Sequence, residues 1–190
     1  NGVVFAALLD MLDASYRQAD ALIPPDMPPP TAADSPGSAQ SLVAWDQLGR
    51  MGRRYVDARH LPADPAARAA APAKAAVRLQ AGLPTGDTPD ERARLALEEL
   101  KRVGGFERKA LILITPTGTG WVDPSSIEGV EYLFRGDVAS VAVQYSYLSS
   151  PLTLFLDPET GGVTARAVFR QIYGYWRSLP RDQRPKLYLH

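Results

Sequence analysis

The sequence predicts an α/β fold, with a mostly parallel sheet and helices on both faces. Three observations carry that expectation. Lys109–Thr115 and Val138–Val143 are runs of apolar and small residues without polar alternation, the pattern of strands buried on both faces. A helix-start signal follows at Thr88-Pro89-Asp90-Glu91 and again at Ser125-Ser126-Ile127-Glu128, where a hydroxyl cap is answered three residues later by Glu. From residue 75 the periodicities read β-α-β-α-β-α-β, an alternation that closes into a parallel sheet.

Taken in order, residues 1–23 keep a helical stripe through Val4, Leu8, Met11, Leu12, Ala19 and Ile23. Pro24-Pro25-Asp26-Met27-Pro28-Pro29-Pro30 then rules out helix or central strand, because proline fixes φ and lacks a donor. Residues 24–40 therefore read as an extended arm lying on a surface. Residues 41–58 hold Trp45 and the cluster Gly49-Arg50-Met51-Gly52-Arg53-Arg54, whose arginines could face lipid headgroups or a partner but are expected on a charged surface with local ion pairs. Residues 61–73, rich in Ala and Pro, read as irregular. Residues 1–73 thus form an N-terminal helix and arm packing on a domain that occupies 74–190.

Within that domain, Val77, Leu79 and Ala81 alternate with Arg78 and Gln80 as a short strand. In the following helix Thr88 caps, Pro89 suits the first turn, and Ala93, Ala96, Leu97, Leu100 and Val103 form the apolar stripe; Gly104 ends it. Pro116 to Gly120 form a loop, and the Ser125 box opens a helix to about Phe134. After the strand Val138–Val143 comes a long connection with Pro151, Pro158 and Gly161-Gly162. A helix over 164–178 carries Val168, Ile172 and Trp176 on one face, Pro180 stops it, and Pro185–His190 is the last strand.

Composition narrows the chemistry. Apolar residues at 45% and charged residues at 22% suit a globular domain. With 21 basic and 21 acidic residues there is no global attraction to nucleic acid or to an acidic surface. The absence of cysteine excludes disulfides, thiolate zinc sites and cysteine nucleophiles. Only His60 and His190 offer imidazole, so no metal site and no cofactor are expected. No run reaches the ~20 apolar residues of a membrane span. The chain opens at Asn1 rather than Met, so sequence upstream is expected.

The segment best placed for chemistry is Ile114-Thr115-Pro116-Thr117-Gly118-Thr119-Gly120-Trp121. It leaves a buried strand and precedes a helix, and ligands of open α/β sheets bind outside the carboxyl ends of strands. Its glycines let backbone amides turn toward an anion or a developing oxyanion. A phosphate loop would need Lys where Trp121 stands, and a dinucleotide fingerprint would need Gly where Asp123 stands. Tyr145 and Tyr147 follow the next strand and could line the same cleft. Ser146 between them has no His–Asp context, His190 ends the last strand, and Asp137 reads as a turn residue.

Several stretches carry a family resemblance: Trp45-Asp46-x-Leu48-Gly49-Arg50-x-Gly52-Arg53-Arg54, Thr115-Pro-Thr-Gly-Thr-Gly-Trp-Val-Asp-Pro124, Gly136-Asp-Val-Ala139, Gln144-Tyr-Ser-Tyr-Leu148 and Leu187-Tyr-Leu-His190. With them the chain resembles a family of bacterial membrane-anchored α/β-hydrolases, in which a block of transmembrane helices precedes the catalytic domain. The resemblance implies an α/β-hydrolase-like domain that is incomplete in this chain, and a membrane-associated protein on an undetermined side. It implies a Gly-x-Ser-x-Gly elbow after His190 carrying a serine nucleophile. Thr117 and Gly118 would be the oxyanion amides, and Thr119, Trp121, Tyr145 and Tyr147 would line the substrate site. The implied activity is hydrolysis of a small-molecule ester or related acyl bond, inactive in this fragment alone. The rest of the domain would be a second chain or sequence present during folding. The competing reading is a non-enzymatic α/β module holding an anion or partner at residues 115–121. The antiparallel hairpin common at the start of such sheets is replaced here by a helix at 88–103.

Overall fold

The structure is a computed structural model that describes residues 2–57 and 74–190, with the backbone alone for residues 2–10. The stretch 61–73 and His60 lie outside the described residues. Four strands, β1 (Val77–Ala81), β2 (Ala110–Ile114), β3 (Val138–Val143) and β4 (Lys186–Leu189), form one sheet in the order β1-β3-β2-β4. Every pairing is parallel, as the unbroken apolar runs require. β1, β2 and β3 are buried at every position, whereas β4, at the edge beside β2, keeps Tyr188 and Leu189 exposed.

Among the described residues the strands are accompanied by helices α1 (Gly2–Ala21), α2 (Gly49–Val56), α3 (Pro89–Arg102), α4 (Pro124–Leu133), α5 (Ser150–Leu156) and α6 (Thr160–Ser178). The alternating strand residues explain where they pack. Leu79, Leu111, Leu113 and Val141 meet Ala93, Leu97 and Leu100 of α3 and Val168 and Ile172 of α6. Ala110, Ile112, Ile114 and Ala142 point the other way, onto Tyr55 of α2 and Ile127 of α4. One face of the sheet therefore carries α3 and α6, and the other carries α2 and α4.

α3 starts as its sequence specifies. The Thr88 hydroxyl accepts from the Glu91 amide at 3.2 Å and the Glu91 carboxylate accepts from the Thr88 amide at 3.0 Å, closing a capping box worth about 1 kcal/mol. The second expected box is not used. α4 begins two residues earlier, because Asp123 caps it through the Ser125 amide and Pro124 supplies a ready-made first-turn φ. The long connection after β3 contains a helix of its own, α5, and α6 starts at Thr160 rather than 164. Its first turn therefore includes Gly161 and Gly162, which weak helical propensity had argued against.

β1 departs from a half-exposed strand. Arg78 and Gln80 are both buried, since α2 covers their face. Arg78 is compensated by a two-point bond to Glu131 of α4, at 2.7 and 2.8 Å. On the same face the Tyr55 hydroxyl donates to Ser140, and burial pushes that phenol far above its ordinary range, more than the Ser140 bond and Arg78 offset. Tyr55 is thus a neutral donor pinning α2 to β3.

The arginine cluster of α2 is also not a simple charged surface. Arg53 is fully buried and donates to the carbonyls of Asp20 at 2.7 Å and Leu22 at 2.6 Å. It thereby ties the end of α1 to α2. The Asp20 carboxylate accepts from the Arg50 amide at 2.9 Å and from Gln144 Nε2 at 3.3 Å, which extends the link to the end of β3. The proline-rich arm is held at two places. Trp45 Nε1 donates to the Met27 carbonyl, and Arg102 donates to the carbonyls of Ala33 and Ser35. Glu99, fully buried, accepts from Ser41, the Leu42 amide and Arg102.

Two stability outcomes follow. Arg53→Ala leaves buried carbonyls without a donor and should lower unfolding free energy by about 2–4 kcal/mol in urea titration. Arg54→Ala, on an exposed position, should change it by less than about 0.5 kcal/mol. Burial alone would raise the Glu99 carboxyl, but the Arg102, Ser41 and Leu42 hydrogen bonds outweigh it and hold it below the usual carboxylate range. Its stabilisation is present above the ordinary carboxylate pKa and is lost as pH falls through the lowered one. Glu99→Gln should therefore destabilise at neutral pH, and thermal melts should show the gap to wild type closing in strong acid.

Candidate functional site at the carboxyl ends of the strands

The loop from Thr115 to Trp121 leaves β2, in the middle of the sheet, and lies beside the end of β4. The Thr115 amide donates to the His190 carbonyl and the His190 amide to the Leu113 carbonyl, both at 2.9 Å. The parallel ladder thus runs past both strands and sets the start of the loop against the last residue of β4. On the opposite side the Gln144 amide donates to the Ala81 carbonyl at 2.9 Å. The Gln144 side chain then bridges to the Leu83 amide, the Ser146 carbonyl and Asp20.

Thr117 to Gly120 form a tight turn, the Gly120 amide donating to the Thr117 carbonyl at 2.8 Å. Gly120 holds φ 85°, and a Cβ there would stand 2.3 Å from Gln80 Nε2. Only glycine meets both demands. Gln80 itself is fully buried, and neither its Nε2 nor its Oε1 has a hydrogen-bond partner among the described residues. Gly118 is required by close approach: a Cβ would meet the Leu148 carbonyl at 2.5 Å and Thr153 Oγ1 at 2.9 Å.

The two expected donor amides differ. The Thr117 amide donates to the Trp121 carbonyl at 3.0 Å and the Thr117 hydroxyl accepts from the Trp121 amide at 3.2 Å. Thr117 is thus engaged in closing the turn, and its N–H is not presented to a ligand. The Gly118 amide donates outward, to the Ser150 hydroxyl of α5 at 3.3 Å, while its carbonyl accepts from the Ser146 amide. A 3.3 Å contact lies beyond the usual N–H···O range and is readily exchanged. Thr119 shares a hydroxyl contact with Thr117 at 3.4 Å, and Trp121 is 45% exposed on the rim.

Beside the loop is a cavity of about 420 Å³, lined by the ends of β2, β3 and β4 and by the first half of α6. Its walls are apolar apart from a few groups: Thr115, Tyr145, Thr164, Arg166 and His190. Thr164 is 2% exposed, and its hydroxyl lacks a partner among the described residues. Tyr145 lies in this cavity, against Gly161. Tyr147 does not join it. Its ring lies under Arg17 of α1 at 5.2 Å, and burial, only partly countered by Arg17, pushes its phenol up. Strand alternation would put residues 145 and 147 on one side, but the strand ends at Val143 and the irregular loop after it sends the two tyrosines apart.

Sequence reasoning missed Ser150, Thr164 and Arg166. Ser149-Ser150-Pro151 is a helix-start pattern that would have located α5 and with it Ser150. Thr164 and Arg166 carry no comparable signal, since their place depends on α6 crossing the sheet.

An all-parallel sheet covered on both faces, with a glycine turn at the carboxyl ends of its central strands, defines an open α/β domain. Comparison with family models gives the narrower class. Residues 77–190 match the model described as alpha/beta-hydrolase family, and residues 1–58 match the model of that family's N-terminus. The chain belongs to the alpha/beta-hydrolase family. No curated protein and no solved structure matched the chain. Among the described residues no helix is long and apolar enough to cross a membrane.

The turn offers a direct test. Gly120→Ala should force the loop off Gln80 and cost about 1–3 kcal/mol. Gly129→Ala, on α4 with nothing near its Cβ, should be neutral or stabilising. Paired thermal melts of the two variants check both.

Proposed function

We propose that the chain supplies the oxyanion-loop half of a serine hydrolase acting on an ester or related acyl bond. The observation that carries this reading is the Thr115 amide donating to the His190 carbonyl at 2.9 Å. That bond sets residues 115–121 beside the carboxyl end of β4, where a serine held on a strand-to-helix elbow would face the loop. Family membership supports hydrolysis as the class of chemistry.

In this reading Gly118 N–H is the donor to the tetrahedral oxyanion. A preorganised amide of this kind acts where charge develops and needs no reorganisation during the reaction. Thr119 and Trp121 form the rim, and Tyr145 with Thr164 lines the wall toward α6. The nucleophile, its histidine and its acid come from polypeptide other than residues 1–190. In this reading the acyl intermediate forms on a serine outside residues 1–190. The exposed apolar edge of β4 supports continuation of the sheet there, since bare edges of this kind invite pairing.

The test uses the intact protein and a fluorophosphonate probe. A serine outside residues 1–190 should be labelled, and a short-chain ester should be hydrolysed. Replacing residue 118 by glycolic acid through semisynthesis, which exchanges the amide N–H for an ester oxygen without adding a Cβ, should lower kcat by about 10²–10³. Absence of labelling together with saturable anion binding at the loop would overturn the hydrolase reading.

A further inference from the structure

We propose that Gln80 is a positioning residue of the reaction: its side-chain amide, buried beneath the glycine turn, takes up the charge that the Gly118 peptide passes inward as an oxyanion forms. The inference rests on the serine-hydrolase reading and adds to it a residue that acts through the loop without touching substrate.

Two buried glutamines lie under the carboxyl ends of the strands, Gln80 in β1 and Gln144 just after β3, and both are fully buried. They use their amides differently. Gln144 accepts from the Leu83 amide and donates to Asp20 and to the Ser146 carbonyl, so the fold accounts for its polarity. Gln80 has no hydrogen-bond partner at Nε2 or at Oε1 among the described residues. An amide buried in this way costs free energy, and an apolar side chain of similar size would not carry that cost. The fold therefore gives no reason for the polarity of Gln80, whereas its location does. The amide is clasped between two glycines. A Cβ on Gly52 of α2 would stand 3.1 Å from Nε2 and 3.2 Å from Cδ, and one on Gly120 would stand 2.3 Å from Nε2. α2 thus presses the amide against the turn and keeps it from swinging away.

The turn connects Gly118 to Gly120 by a short relay. The peptide that carries the Gly118 N–H also carries the Thr117 carbonyl, which accepts from the Gly120 amide at 2.8 Å. The peptide that carries the Gly120 N–H also carries the Thr119 carbonyl, to which no backbone amide donates among the described residues. Hydrogen bonds in such a chain polarise one another. When an oxyanion accepts from Gly118, negative charge builds on the Thr117 carbonyl, the Gly120 amide answers it, and charge then builds on the Thr119 carbonyl. Gln80 Nε2, already against Gly120, donates to that carbonyl after a small shift of the turn. The donor is unpartnered at rest and engaged in the transition state, which is the condition for raising kcat without tightening substrate binding. Only hydrogen bonds change in this step.

The experiment uses the intact protein with Gln80→Met and Gln80→Leu, which keep bulk and remove the amide. Both variants should melt at or above wild type, since a buried amide without partners is lost. On a short-chain ester kcat should fall by about fivefold to tenfold, the worth of one neutral hydrogen bond made only in the transition state, while KM stays within about twofold. In wild type, fluorophosphonate labelling should move the Gln80 side-chain amide protons downfield in NMR together with the Gly118 amide, a response that packing alone does not produce. Unchanged kcat in a folded variant, or an effect carried by KM alone, overturns the inference. Marked destabilisation of both variants overturns it too, because the amide would then serve the fold. If wild type is labelled and hydrolyses ester while the variants match it, this inference falls and the hydrolase reading stands. If wild type is neither labelled nor active, both fall.

Discussion

Three of the four strands are buried on both faces, so their backbone groups find partners only in one another. That constraint governs the rest of the molecule. It makes the sheet parallel and continuous from β1 through β3 and β2 to β4, and it brings all four carboxyl ends to one edge. The ladder does not stop at the strand ends. It continues through the Thr115–His190 and Gln144–Ala81 bonds, so the loops begin in register with one another. A site assembled there inherits the rigidity of the sheet without needing rigid loops.

Around that edge the protein spends its buried polar groups on positioning. Asp20, Gln144 and Arg53 link α1, α2 and the end of β3 through backbone carbonyls and amides. Gln80 lies against Gly120 and stops the turn from moving inward. Asp20, Gln144 and Arg53 are costly to bury alone, and their hydrogen bonds offset that cost only in one arrangement. The N-terminal segment is therefore a structural part of the site region. It packs beneath the loops through α2 and reaches α3 through Glu99 and Arg102.

Two amides that look equivalent in the sequence have different fates for the same reason. Thr117 and Gly118 are neighbours in a tight turn, and a turn must satisfy its own groups before it can serve a ligand. The hairpin-like pair between Thr117 and Trp121 takes the first amide inward. Gly118, at the turn's apex and crowded by Leu148 and Thr153, has its amide facing α5.

What the sequence by itself determined was whatever depends on neighbours along the chain. The unbroken runs at 110–114 and 138–143 marked buried strands. Thr88 through Glu91 marked the start of α3, and the glycine loop after β2 marked the most interesting turn. The Ser125 box misplaced the start of α4, because Asp123 and Pro124 supply its cap and first turn. The tertiary structure alone decided which polar residues are inside. Arg53, Arg78 and Gln80 read as surface because their own segments look amphipathic. Arg78 and Gln80 are buried because α2 folds across β1, more than twenty positions away, and Arg53 because the end of α1 lies over it. The same holds for Tyr147, drawn under Arg17 of α1, and for Thr164, brought to the cavity by the crossing of α6. Side-chain burial is set by what lies across the fold, and no local pattern carries that information.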